Sequence, residues 1–157
     1  MKCTQTFLCL VMFWASLTVF LPLNSLGQSS SAEKNAYLED SFEWHGGDAA
    51  NARLDGLMAE LAKRPNSLGV IFIYCGRKCF YGEPEAHFVG IQEAMTFRRY
   101  NFASVKLIFA GFRDHPTTEF WVVPAGTSTP LPAPTLGTDK VQFIHTRSKI
   151  RRPYWCC

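Results

Sequence analysis

The stretch RLDGLMAELAKRPNSLGVIFIYCG, residues 53–76, decides the fold. Its first half places Leu54, Leu57, Met58 and Leu61 at i, i+3, i+4 and i+7, the single apolar stripe of an amphipathic helix. Pro65 and Asn66 end that pattern. Val70 to Tyr74 (VIFIY) then runs apolar at strand length and rich in β-branching, which suits a strand buried on both faces. A helix feeding a doubly buried strand points to a layered α/β domain.

The flanks extend that reading. His45-Gly46-Gly47 forms a turn, and Asp48 caps a helix from Ala49 to about Lys63. Before it, Tyr37 to Trp44 (YLEDSFEW) has the aromatic content of a short edge strand. After VIFIY, a loop from Cys75 to Gly82 leads to Glu83-Pro84, where proline is tolerated at the first position of a second helix. That helix runs to about Tyr100, with Phe88, Ile91 and Met95 on its apolar side. Val105 to Ala110 (VKLIFA) and Thr118 to Val123 (TEFWVV) follow as strands. Strand, crossover helix and strand predict a right-handed parallel pair, and the last two strands are close enough for a hairpin. The expected fold is α/β: a two-layer sandwich with a mixed sheet of about four strands and two helices on one face, in βαβαββ order, over residues 37–124. Residues 125–140 are rich in Pro and Thr and are expected as an extended linker. Residues 141–157 form a basic, Cys-ended tail in which Val141 to His145 (VQFIH) suits a further strand.

The chain opens with Met1-Lys2, an apolar run from Phe7 to about Leu23, and small residues at Ser25 and Gly27. That three-part layout predicts a signal peptide over residues 1–27, cleaved before Gln28, and a flexible leader over 28–36. An uncleaved membrane anchor is the alternative, disfavoured by Pro22 and the small-residue site. Cys3 and Cys9 lie too early for a lipoprotein. Export to the periplasm or the extracellular space is therefore expected, with no stable transmembrane span after cleavage.

Cleavage leaves 157 − 27 = 130 residues, room for one domain, and lowers the net charge from +3 to +2. That balance is too mild to imply a nucleic-acid partner. From Thr138 onward, Lys140, Arg147, Lys149, Arg151 and Arg152 face only Asp139, a local 5 − 1 = +4. Lys149, Arg151, Arg152 and Trp155 are thus candidates for an anionic surface, with a solvated tail as the plainer reading.

Four cysteines survive processing, Cys75, Cys79, Cys156 and Cys157, and in an oxidising compartment an even count suggests disulfides. Three connectivities are open. A vicinal Cys156–Cys157 bridge would be strained, since neighbouring Cα atoms lie only ~3.8 Å apart. At least one bridge from Cys75 or Cys79 to the C-terminal pair is favoured, closing a loop worth roughly 3–4 kcal/mol. Arg77 and Lys78 inside CGRKC would lower a thiolate's pKa, but the spacing is CxxxC and a structural disulfide is favoured over redox chemistry. His45, His87, His115 and His145 stand singly, so a zinc site built from Cys75, Cys79 and a distant His is the lesser reading. No metal or cofactor is expected. GxSxG elbows and glycine-rich phosphate loops are absent, and Glu83 and Glu85 suit a helix start, so no enzyme is expected.

RLDGLMAELAKRPNSLGVIFIYCG, the GEPEA run (Gly82 to Ala86), VKLIFAGF and TEFWVVPAG together resemble a group of exported bacterial proteins of unassigned role. Those are similar in turn to the OmpA-like C-terminal domain, and the resemblance covers Leu38 to Gly126. It implies non-covalent peptidoglycan binding in the periplasm. The family does this with an Asp after the second strand and an Arg inside an LSxxRA pattern, which hold the charged ends of diaminopimelate. Here the corresponding stretches read CGRKC, without a carboxylate, and EAHFVG, without an Arg. The expectation is an exported, non-enzymatic, cell-wall-associated binding or structural module that uses other residues, with peptidoglycan or another anionic envelope polymer as partner. A thiol-disulfide protein on Cys75 and Cys79, or an anionic-surface binder through the tail, are the alternatives.

Overall fold

The computed structural model describes residues 35–43, 45 and 47–145. The expectations for the signal segment, most of the leader, and the tail residues Lys149, Arg151, Arg152, Trp155, Cys156 and Cys157 lie outside the described residues.

The run VIFIY sits within β2 (Leu68–Cys75), which is buried from Gly69 onward. Such a strand must be flanked on both edges and covered on both faces, and the sheet supplies this. Its order is β1 (Tyr37–Phe42), β5 (Thr117–Val123), β2, β4 (Val105–Phe112). β2 pairs parallel with β4 and antiparallel with β5, and β1 pairs antiparallel with β5. Helices α1 (Gly47–Lys63) and α2 (Glu83–Phe97) both lie on one face. There Leu54, Leu57, Leu61, Ile91 and Met95 pack on Ile71, Ile73, Phe120 and Val122. The other face gathers Val70, Phe72, Tyr74, Ala110 and Val123, with Ile108 and Trp121 beside them. Period-two alternation along β2 and β5 accounts for the split. The mixed four-stranded, two-layer α/β architecture is thus the expected one, and the parallel pair bridged by α2 is present.

The hairpin between the last two strands is not. β4 and β5, though joined by only 113–116, do not pair, because β5 is inserted between β1 and β2. Burial explains the choice. β5 is closed on nearly every residue and needs a central position, whereas β4 leaves Lys106 and Phe109 exposed and suits an edge.

Two short strands lie past the sheet's Cys75 end. β3 (Lys78–Phe80), inside the expected loop, pairs parallel with β6 (Gln142–Ile144), inside VQFIH. α2 stops at Phe97 rather than Tyr100, and Arg99 takes a left-handed φ of 58° just beyond. In the segment read as a linker, Thr135 and Leu136 donate to the carbonyl of Phe112 at 3.0 and 3.1 Å. Pro134 lies over Gly111, where a Cβ would come within 3.0 Å of the proline and φ is +100°, so this position requires glycine. No helix among the described residues is long and apolar enough to cross a membrane.

Candidate functional site

Glu119 is a carboxylate in the middle of a central strand. The register places it opposite Phe72, on the sheet face away from the helices. A charge so buried must be paired and hydrogen-bonded. Arg113, just after β4, supplies Nη1 at 2.7 Å from Oε1. Trp121 Nε1 donates to Oε2 at 3.0 Å, and Tyr74 Oη, from β2, donates to the same oxygen at 3.4 Å. The Arg113 guanidinium sits over Tyr74, its Cζ 3.6 Å from the ring centroid. The network closes on the Pro-rich segment: the Ala133 N–H donates to Tyr74 Oη at 3.1 Å, and Arg113 Nε donates to the Ala133 carbonyl at 3.2 Å. Burial raises the pKa of Tyr74, and the negative charge of Glu119 adds to the rise against the opposing pull of the Ala133 N–H and Arg113. The arrangement is a charge-paired knot that links β2, β5, the residue after β4 and residue 133.

The second feature is the corner after β2. Cys75 ends β2 and Cys79 centres β3, and their sulfurs are bonded, with Cα atoms 5.6 Å apart. This corrects the expected bridge from the pair to the C-terminal cysteines. The Gly76–Lys78 turn folds Cys79 back within ordinary bridging distance of Cys75. Gly76 permits that turn to press on Pro116, whose Cδ would lie 2.8 Å from a Cβ. Both cysteines are buried, 2% and 3% exposed, against Phe112, Leu136 and Val141. Attack by an external thiolate needs an accessible sulfur, so this burial favours a staple over exchange chemistry. Arg77 directs its charge at Asp114, Nη2 to Oδ1 at 2.6 Å, in an exposed pair of little energetic weight.

Cys75, Cys79 and Glu83 bring ligand-type atoms within 4.8 Å of one another, without a histidine. The two sulfurs are held in the disulfide, and Glu83 Oε2 accepts the Phe80 N–H at 2.8 Å. His45 and His115 are exposed, burial pushes His87 below its ordinary pKa, and His145 stacks on Tyr81 with centroids 3.9 Å apart.

The structure thus joins two of the expected site residues, Cys75 and Cys79, and adds a knot that sequence reading passed over. The available signal was Glu119 itself, one carboxylate amid the apolar run FWVV, which demands a cation from elsewhere in the chain. No family model, curated protein or solved structure matches this chain.

Two outcomes follow from this geometry. Because the folded pKa of Tyr74 lies above its ordinary 10.0, the unfolded chain ionises first. The corresponding stability is present below pH 10 and is lost as pH rises through the folded pKa. Denaturant titrations above pH 10 should therefore show a shallower alkaline loss in Tyr74→Phe than in the parent, with a residue left from Tyr100, which is raised in the same sense. In non-reduced peptide maps residues 75 and 79 should share a bridge. Breaking it by Cys75→Ser/Cys79→Ser should cost about 2 kcal/mol, the chain-entropy value for so short a loop. A loss of about 3–4 kcal/mol would signal a bridge closing a long loop instead.

Proposed function

We propose that this chain is an exported, non-enzymatic envelope protein, a cell-wall-associated binding or structural module of OmpA-like kind that works in the periplasm or outside the cell. It uses residues other than the Asp/Arg pair of that family. The observation that carries the reading is the commitment of Arg113, Glu119, Tyr74 and Trp121 to one another beside a buried Cys75–Cys79 disulfide. Catalytic carboxylates and cations are poised toward a substrate, whereas these neutralise each other and tie down the chain. A disulfide staple suits an oxidising compartment, in keeping with the leader-like residues 1–27. The α/β core with its helices on one face is compatible with the OmpA-like resemblance of residues 38–126.

Co-sedimentation of the full chain, processed or not, with purified cell-wall sacculi at low and high salt tests this reading. Pelleting that persists at high salt is the expected result and denotes a specific wall site. Pelleting abolished by salt would move the contact to the cationic residues Lys149, Arg151 and Arg152, whose attraction is screened. A protein that stays in the supernatant at both salts would overturn wall association.

A further inference from the structure

β4 ends the sheet, with β2 as its partner on one side. On the other side, among the described residues, nothing pairs with it from Lys106 to Phe109. That side is taken only at Phe112, by the N–H groups of Thr135 and Leu136. The open stretch is regular, Val105 to Phe109 running beside Gly69 to Ile73 before the register shifts. Next to it lies a cleft of about 400 Å³. α2 lines it with Phe88, Gln92 and Met95, β4 lines it with Val105 and Leu107, and Phe102 joins them from the short turn before β4. That turn is firmly built. Asn101 Oδ1 accepts the Ala103 N–H at 3.0 Å, the Ser104 hydroxyl donates to the Asn101 carbonyl at 2.6 Å, and the Tyr100 N–H donates to the Met95 carbonyl at 2.9 Å. Phe102 is nevertheless 46% exposed. Lys106, which also borders the cleft, is exposed and makes no ion pair among the described residues.

We infer that the open edge of β4 and this cleft form a docking site for an extended peptide of alternating apolar and acidic side chains, which adds to the sheet as a further strand. The inference does not depend on the wall-associated reading. An open edge offers a row of backbone donors and acceptors, and another extended chain is what satisfies such a row. Register then fixes which side chains are wanted. Val105 and Leu107 pair with Gly69 and Ile71 and share the helix face, whereas Lys106 pairs with Val70 on the other. Directly opposed residues of neighbouring strands share a face. Peptide residues opposite Val105 and Leu107 therefore turn toward the cleft, where apolar side chains leave water. The residue between them lies opposite Lys106 on the other face, where a carboxylate matches its charge. A lysine on an edge deters neutral and basic strands, so the residue that guards this edge also selects an acidic one. It disfavours β4 of a second copy as well. A two-fold pairing that keeps the helices on one side brings both lysines onto one face, and β4 carries no carboxylate to separate them.

The probe is a capped, fluorescein-labelled peptide, SGTFELTGS, titrated with the full chain and followed by fluorescence polarisation. Saturable binding is expected, and exchanging its glutamate for lysine (SGTFKLTGS) should weaken it about five- to tenfold. Lys106→Glu should reverse that preference. Phe102→Ala should weaken the glutamate peptide about fivefold by removing apolar surface from the cleft. Methylating alternate backbone nitrogens of the peptide should abolish binding in one phase and spare it in the other, because only one set faces β4. Both substituted side chains are exposed, and urea midpoints matching the parent establish that the variants are folded. Absence of saturable binding by the parent would overturn the site. So would equal affinity for the two peptides, a preference unmoved in Lys106→Glu, or tolerance of both methylation patterns. Concentration-dependent dimers of the parent that disappear in Phe102→Ala would assign the cleft to a second copy instead.

Discussion

A strand with apolar side chains on both faces cannot be left half covered, and β2 imposes that constraint on everything around it. Ile71 and Ile73 call for the two helices; Val70, Phe72 and Tyr74 call for a second cover. Among the described residues, Glu119 is the one buried polar side chain on that second face. Leaving a buried carboxylate unpaired costs several kcal/mol, so its position dictates where Arg113 must come to rest. Arg113 in turn holds the carbonyl of Ala133, and Tyr74 holds the same residue's N–H. A segment whose composition specifies only an extended chain acquires a fixed place in this way. A buried pair adds little net stability over apolar packing of the same volume. What it contributes here is position.

The same positioning reaches the corner beyond Cys75. Arg113 N–H donates to the Cys75 carbonyl at 2.8 Å, and Gln142 N–H donates to the Arg77 carbonyl at 2.7 Å. The turn between β2 and β3 is therefore tied to the sheet on one side and to β6 on the other, with the disulfide between them. Such a corner presents Tyr81, Phe143 and His145 on a backbone with little freedom to rearrange. The interior knot and the exterior rings are two consequences of one piece of folding, the first consuming polar groups and the second displaying aromatic ones.

The helices were legible because Leu54, Leu57, Met58 and Leu61 form a stripe and because Pro65 and Pro84 punctuate it. β2 was legible from VIFIY, and its parallel pairing with β4 from the crossover helix. Sequence proximity misled at β4 and β5, where a short connection suggests a hairpin. The better guide was the composition of TEFWVV, which has apolar residues on both faces and so belongs inside a sheet. β3 is three residues long, too short for any periodicity to register. A bridge closing a long loop would stabilise more once formed, yet a turn that brings two Cα atoms to 5.6 Å decides the pairing locally. The knot was visible only in part: Glu119 announced a need, but Arg113, Tyr74 and Ala133 come together through tertiary register, which no local pattern encodes.

The most direct test of this dependence is the coupling free energy between Arg113 and Glu119. It is measured by urea unfolding of the parent, Arg113→Met, Glu119→Gln and the double variant. Each single substitution should cost about 3–5 kcal/mol by stranding a buried partner, and the double variant should cost much less than their sum. A coupling of about 2 kcal/mol or more is the predicted result. Single costs that are small and simply additive, within about 0.5 kcal/mol, would contradict the claim that this pair fixes the second face of the sheet.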